Sequence, residues 1–313
     1  MELRQLVAVV TVADSGTVST AAKRLHLAQP ALTRRVQALE RDLGVALFDR
    51  TPHGMRPTPA GEAFLVRARA ILRDVDRART EIGDGGGDVA GRVSVGLLAS
   101  VSELLGPDLS TSVRARHPGV RLRVDIGYSG HVRQWLESGA VDVAVLYQLG
   151  DRPGIHSTPL VSERLVVAGP ADSVLAGRDR ADISTLRGPF VLPAQEHALR
   201  VLVDEAFAGV GAEAEVALET NTVDMQKTLA QRGVGWTVLP ASCVAGDVAD
   251  GRLAAAELDP PVERTLVLAR ATAPRPSRAV STVAAMLDDV VVRAVSDGGW
   301  PSARLQGRRA GTA

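Results

Sequence analysis

Apolar residues in the first third of the chain recur at helical spacing, in three short runs followed by a long one. Leu3, Leu6, Val7, Val10 and Ala13 share one helical face. Val18, Ala21, Ala22 and Leu25 obey the i, i+3, i+4, i+7 rule, with Gly16 and Thr17 ahead of them and Thr17 suited to accept a free N–H as N-cap. A short connection at 26–28 precedes the next run, where Leu32, Val36, Leu39 and Leu43 step by 4-3-4. Pro30 falls in the first turn of that helix, where its missing N–H costs nothing.

Two helices joined so tightly have no room to fold back as an antiparallel pair, which predicts a helix-turn-helix packed on the first helix. Leu47-Phe48 and Met55-Arg56 flank a turn-rich segment with Gly54 near its tip, and this predicts a two-stranded wing. From Thr58, with Pro59 at the first helical position and Glu62 in the first turn, a long helix begins. Phe64, Ala68, Ile71, Val75, Ala78 and Ile82 repeat as the a/d seam of a coiled coil. Arg67, Arg69, Arg73, Asp74, Asp76, Arg77 and Arg79 leave that seam narrow, so a partner helix fits it better than a broad domain face. The glycine-rich stretch 83–88 ends the helix as an expected hinge.

Beyond residue 91 short apolar runs alternate with helical stretches. Strands are predicted at 92–97, 120–126, 141–146, 165–168, 190–192, 216–218, 236–239 and 266–268, and helices at 102–117, 132–139, 199–207 and 222–232. Such alternation predicts an α/β domain with largely parallel sheets. A closing helix at 277–295 would bury Val280, Val283, Ala284, Leu287, Val290 and Val291, and the Gly-, Arg- and Ser-rich stretch 297–313 reads as a disordered tail.

At 313 residues and 45% hydrophobic content the chain has material for two cores. Its formal net charge of zero hides an asymmetry: Arg4, Lys23, Arg24, Arg34, Arg35, Arg41, Arg50 and Arg56 outweigh Glu2, Asp14, Glu40, Asp42 and Asp49 in the helix-turn-helix end. The single cysteine, Cys243, excludes an intrachain disulfide and reads as a buried structural thiol. The N-terminal run carries Glu2, Arg4 and Gln5 and is no signal peptide, and no apolar run reaches membrane-spanning length, so a cytoplasmic protein without a membrane partner is expected. Neither a GxGxxG after a strand, a P-loop, a GxSxG nor a metal-spaced His/Cys cluster occurs, which leaves an enzyme without chemistry and predicts no cofactor.

The polar stripe of the third helix has the groups that duplex DNA requires. Arg34 can pair with guanine, Gln29 and Gln37 with adenine, and Thr33 with a phosphate or a thymine methyl, beside Pro30 and Ala31. Thr17 and Ser19 at the preceding helix, and Arg50, Thr51 and Arg56 on the wing, complete the candidate DNA-binding set.

The residues that carry these features also carry a resemblance. Leu3-Arg4, Ala21-Ala22-Lys23-Arg24-Leu25-His26-Leu27, Gln29-Pro30-Ala31-Leu32-Thr33, Leu39-Glu40, Leu43-Gly44, Leu47-Phe48, Arg50 and Thr58-Pro59-Ala60-Gly61 resemble the N-terminal domain of LysR-type transcriptional regulators. Val9 and Val18 replace aromatic residues usual there, and Ala28 replaces a serine N-cap. The resemblance implies a winged helix-turn-helix domain at 1–58 with its motif at 18–37, a dimerisation helix and hinge at 59–90, and a two-lobed effector domain like periplasmic solute-binding proteins at 91–296. Its first lobe would take 91–161 and 271–296, its second 162–270. It further implies a homodimer or homotetramer, double-stranded DNA and RNA polymerase as partners, and a small-molecule effector between the lobes.

Ligands of open α/β sheets gather at strand C-termini and helix N-termini, where free N–H groups favour anions. The loops that qualify carry Ser100 and Ser102, Ser129 and His131, Gln195 and His197, and Thr222; Thr237 lies in Gly235-Trp236-Thr237-Val238-Leu239-Pro240, which resembles the family's effector-domain signature. A small carboxylate is the expected effector, with His197 and Arg200 as candidate cations. The bland alternative for Ser102 and Thr222 is helix capping, and for His131 and His197 a solvated side chain. An architectural DNA-binding protein without ligand response is the alternative function, at the cost of leaving the α/β domain unexplained.

Overall fold

The computed structural model describes residues 1–52, 54–83, 88–148, 150, 153–272, 276–300 and 302–307, with the side chains of 50, 73, 76, 77 and 79–83 outside that description. The chain forms two compact units divided at residues 87 and 88.

The first unit opens with α1 (Leu3–Ser15), α2 (Val18–Arg24) and α3 (Gln29–Leu43). Gln5 accepts the Glu2 N–H at 2.7 Å to start α1, and Gly16, with φ 68°, ends it by returning its N–H to Val12. Leu6, Ala8, Val9 and Val12 face the core with Ala21, Leu32, Val36 and Leu39. The expected α1 face is therefore rotated: Leu3 and Val7 are exposed, while Val10 and Ala13 pack at the rim.

The wing is an antiparallel pair, β1 (Phe48–Thr51) and β2 (Gly54–Pro57). Glu40 of α3 accepts the N–H groups of Leu47 (2.8 Å) and Phe48 (3.3 Å), which fixes where the wing leaves the helices. A Cβ at Gly54 would lie 2.3 Å from the Gly16 carbonyl and one at Gly61 would lie 2.0 Å from that of Leu47, so both positions admit only glycine.

Thr58 caps α4 (Pro59–Gly83) through the Gly61 N–H at 2.9 Å. The first turns of α4 belong to this unit's own core: Leu65 and Ala68 are buried in the single chain and Phe64 packs on the three-helix cluster. Ala68 is thus closed to a partner, contrary to the a/d pattern. Ile71 and Val75 are half-buried and Ala78 exposed, while Ile82 lies outside the described side chains, as residues 84–87 of the expected hinge lie outside the described residues.

In the second unit β3 (Gly91–Leu98) leads into α5 (Ala99–Arg116), followed by β4 (Val120–Gly127), α6 (Ser129–Glu137) and β5 (Val143–Tyr147). Strand β3 runs parallel to both β4 and β5, as short apolar strands with helical crossovers require. The next element departs from the expected parallel pattern. Strand β6 (Ile155–Pro170) spans sixteen residues, and the expected lobe boundary at 161/162 falls inside it.

The second lobe continues with β7 (Arg180–Asp182), β8 (Phe190–Leu192), α7 (Ala198–Gly209), β9 (Val216–Glu219), α8 (Val223–Gln231), β10 (Thr237–Pro240), α9 (Ala241–Ala249) and β11 (Leu253–Asp259). The chain returns through β12 (Glu263–Ala271), α10 (Arg278–Ser296) and β13 (Ala303–Leu305). The N-terminal part of β6 pairs antiparallel with β12 and β13, and its C-terminal part with β10 and β11. The sheet is consequently mixed, and β6 with β12 are the strands by which the two lobes communicate. The chain leaves β6 for the second lobe and comes back along it as β12, running in the opposite direction, which makes the pairing antiparallel.

Helix α10 buries the predicted face, Val280, Val283, Ala284, Leu287, Val290 and Val291. The segment after it is not the disordered tail its composition suggests, at least through residue 307. Trp300 is buried at 1% exposure and β13 hydrogen-bonds along β6, because one large aromatic ring anchors an otherwise polar stretch.

Candidate functional site

The helical surface expected to meet DNA is assembled as a continuous exposed stripe. Gln29, Pro30, Arg34, Gln37 and Arg41 are exposed along α3, with Ala31 and Thr33 half-buried beside them. Ala28 holds the N-cap position without a side-chain bond; Pro30 has no N–H and the Ala31 N–H returns to the Ala28 carbonyl at 3.0 Å, which leaves the Gln29 N–H for an anion at the start of α3. Thr17 accepts the Thr20 N–H at 3.2 Å and donates to the Thr20 hydroxyl at 2.9 Å, which commits it to starting α2. Ser19 is exposed.

Thr33 returns its hydroxyl proton to the Gln29 carbonyl at 3.0 Å, leaving only acceptor capacity and a methyl for a partner. On the wing Arg56 is exposed and Thr51 closes the turn by donating to the Gly54 carbonyl at 3.1 Å; the Arg50 side chain lies outside the described residues.

The second candidate site is the cleft between the two lobes of the second unit. Ser100, Tyr128, Tyr147, His197, Asn221 and Gln226 are among its lining residues. Its free volume is about 20 Å³, room for one water molecule. The lobes are drawn together here by a hydrogen bond from the Ala198 N–H to Ser129 Oγ at 3.1 Å. A larger pocket of about 400 Å³ includes Ser129, Arg133, Tyr147, Glu196, Leu202 and Glu263 in its lining.

The expected effector residues separate on this geometry. Ser100 and His197 line the cleft. Ser129 is buried in the bridge between the lobes. Thr237 is completely buried and donates to Gln226 Oε1 at 3.1 Å, so it supports a lining residue instead of touching the cleft. Ser102 donates to the Ala99 carbonyl at 3.0 Å, Gln195 and Thr222 are exposed, and His131 is an exposed ring stacked on Trp135 and tilted against Tyr128. None of these four lines the cleft.

Neither candidate cation supplies charge. Burial, with the positive charge of Arg264, pushes the His197 imidazole down to about 4, so the ring is neutral at physiological pH. Its Nδ1 accepts the Leu199 N–H at 3.1 Å and caps α7, which leaves Nε2 to carry the proton as a donor. Arg200 is buried and spent on Asp204, Glu219 and the Pro193 carbonyl. The N-terminus of α7, expected to offer free donors, is therefore occupied by the protein itself through His197 and Ser129, whereas α8 starts at Thr222 without a side-chain cap and Asn221 before it accepts the Ala194 N–H.

The charge that stands behind the cleft, on a lining residue, was not singled out from the sequence. Arg264 of β12 is completely buried, pairs through Nε and Nη2 with Glu163 of β6 at 2.9 and 2.5 Å, and donates from Nη1 to Ser100 Oγ at 2.6 Å. Burial alone would raise the Glu163 carboxyl, but the Arg264 charge and the hydrogen bonds it receives hold it below the ordinary carboxylate range. With its oxygen accepting from a guanidinium, the Ser100 hydroxyl has its own proton free to donate into the cleft. Helix α5 begins there with Leu98 at the N-cap and no side-chain cap. Cys243 donates to the Ser100 carbonyl at 3.5 Å, and burial pushes its thiol up to about 11, which makes it a poor nucleophile at neutral pH.

Comparison with known proteins agrees with both units. Residues 3–62 match the family described as bacterial regulatory helix-turn-helix protein, lysR family, and residues 86–291 match the LysR substrate binding domain. The transcriptional regulator BbuR of Bordetella bronchiseptica is 31% identical over 93% of this chain and 90% of its own. The nitrogen assimilation regulatory protein nac of Klebsiella aerogenes is 33% identical over 77% of this chain and 79% of its own.

Among solved structures, a full-length OxyR variant from Pseudomonas aeruginosa aligns with a TM-score of 0.74 at 24% identity over 99% of both chains, a likeness of fold. CbnR, a LysR family regulator, aligns at 0.64 with 25% identity over 94% of this chain and 99% of its own, and full-length CbnR has also been solved with its target DNA, where it aligns at 0.52. With a helix-turn-helix, an α/β substrate-binding domain and relatives along most of its length, the chain belongs to the LysR family of DNA-binding transcriptional regulators.

Proposed function

We propose that this regulator reads an operator through α3 and the wing and answers a small anionic effector, a carboxylate, held between the lobes by Ser100. The domain map is 1–58 for DNA, 59–90 for dimerisation and 91–296 for the effector, and the working state is a cytoplasmic homodimer or homotetramer that contacts RNA polymerase. Support for an oligomer comes from the apolar stripe of α4 beyond its buried first turns, where Ile71 and Val75 remain partly open to a partner helix.

The observation that carries the ligand reading is the 2.6 Å bond from Arg264 to Ser100 Oγ. It aims a polarised hydroxyl into the cleft at the uncapped start of α5, where His197 adds a second donor through Nε2. A cleft of about 20 Å³ is too small for a carboxylate with any carbon skeleton, so entry must part the lobes and break the Ser129–Ala198 bond. A ligand that binds one lobe arrangement better than the other shifts their populations, which is how its presence reaches DNA. The larger pocket has the volume for a ligand, but two carboxylates, Glu196 and Glu263, face one guanidinium, Arg133, in its lining and disfavour an anion.

The test is a thermal-shift panel of acetate, succinate, benzoate and related acids on the parent and on Ser100→Ala. An acid should raise the melting temperature of the parent and lose that effect in Ser100→Ala, while operator affinity stays near the parent value. An acid that stabilises both proteins equally would place the effector outside this cleft.

A further inference from the structure

Glu163 is where four separate parts of the second unit meet. It sits on β6 opposite Arg264 of β12 on one side and Ala303 of β13 on the other. Oε2 accepts both Arg264 bonds, while Oε1 accepts the Ser242 N–H at 3.2 Å, the Ser242 hydroxyl, and the Ser302 hydroxyl at 3.1 Å. Those donors fill the acceptor capacity of one carboxylate. The Trp300 indole N–H is buried without a complete hydrogen bond among the described residues, yet it too favours the charged carboxylate.

The segment that delivers Ser302 is anchored beyond what a chain terminus needs. Gln306 donates from its amide side chain to Ser162 Oγ at 2.8 Å and from its backbone to the Leu160 carbonyl at 2.8 Å, and Trp300 is buried between α10 and the strand pairing. The Ser302 and Gln306 contacts fall on β6 or its carboxylate, on the strand that runs from one lobe into the other, while the Trp300 backbone N–H returns to the Ala294 carbonyl of α10 at 2.8 Å. The remaining edge of the Arg264 guanidinium is the one that holds Ser100.

We propose that Trp300 and residues 302–307 form a positioning strap for the cleft: Ser302 fixes the Glu163 carboxylate, Glu163 aims Arg264, and Arg264 orients the Ser100 hydroxyl. The link to ligand rests on the reading of Ser100 given above; the mechanical coupling does not. Charge-assisted bonds in series transmit orientation because each donor has one geometry that satisfies its acceptor, so freeing one oxygen of Glu163 loosens the guanidinium fork and then the serine. Ser302 is a positioning residue in this scheme, without contact to the cleft.

Cys243 provides a reporter that needs no ligand. It follows Ser242, which is bound to Glu163, and its thiol donates to the Ser100 carbonyl, so it lies between the two ends of the relay. The experiment measures the rate at which 5,5′-dithiobis(2-nitrobenzoate) labels this sole cysteine in the native full-length chain. Ser302→Ala should label about tenfold faster than the parent, the scale of losing one hydrogen bond to a charged group. Ser302→Thr, which keeps the hydroxyl, should restore the parent rate.

Val283→Ala, a core truncation in α10 that lowers global stability without touching the relay, should label at close to the parent rate under native conditions. An unchanged rate in Ser302→Ala overturns the strap, and so does an equal acceleration in Val283→Ala. If the parent ignores acetate, succinate and benzoate, the ligand reading fails, while the strap is decided by the thiol rates alone.

Discussion

Ser129 Oγ accepts the Ala198 N–H at 3.1 Å, so the first lobe of the effector domain caps a helix of the second. That bond can exist only while the lobes are closed. Removing it with Ser129→Ala should cost the closed arrangement about 1 kcal/mol, the usual worth of an N-cap acceptor. Hydrogen exchange at the Ala198 amide should quicken several-fold, roughly in proportion to the lost free energy. An unchanged exchange rate would mean that other contacts hold the lobes together.

His197 makes stability depend on pH. Its folded value of about 4 lies below the ordinary value near 6.5, so between those limits the unfolded chain binds a proton that the native chain refuses. The contribution is fully present above pH ~6.5 and lost as pH falls, reaching about 2 kcal/mol near pH 5. His197→Asn, which retains a capping acceptor, should flatten this slope in urea unfolding compared at about pH 7.5 and 5. Identical slopes in the two proteins would show that the imidazole titrates normally.

Arg34 stands exposed at the middle of the α3 stripe. If it reads a base, Arg34→Ala should weaken operator binding by about 1–3 kcal/mol and relax preference at one base pair. Competition titrations with operator and random duplexes decide the matter, because a phosphate contact would be lost equally on both.

Ile71 is the first a/d position of α4 beyond the turns that pack on the three-helix core, and it is half-buried in the single chain. Ile71→Asp would bury a charge without a partner in the proposed seam, so the dimer should weaken or the protein should aggregate. A sedimentation profile identical to the parent would exclude α4 as the contact.

The sequence by itself determined the elements whose signal is local. The tight 26–28 connection, Pro30 in the first turn of α3 and the 4-3-4 steps of Leu32, Val36 and Leu39 specified the helix-turn-helix, since turn chemistry and helical period act over a few residues. The missing side-chain cap of α3 could also be anticipated from Ala28, whose methyl group has no oxygen to offer. The alternation of strands and helices likewise announced an α/β domain. The α1 face was misplaced because Leu3, Val7 and Val10 fit a helical stripe as well as Leu6, Val9 and Val12 do, and only the packing partner chooses between neighbouring stripes.

Tertiary structure decided what depends on register between distant strands. Arg264 and Glu163 are 101 residues apart and Arg264 and Ser100 are 164 apart, so no periodicity could join them. A lone arginine at the edge of an apolar run looks like a solvated strand end until the antiparallel pairing of β6 with β12 seals it on every side. The pairing of β10 with β6 put Thr237 behind Gln226, and that of β13 with β6 gave the C-terminal segment a place to bind, where one buried tryptophan outweighed a composition that spoke for disorder. Sequence period fixes which residues share a face; only the register of a folded sheet fixes which charges meet.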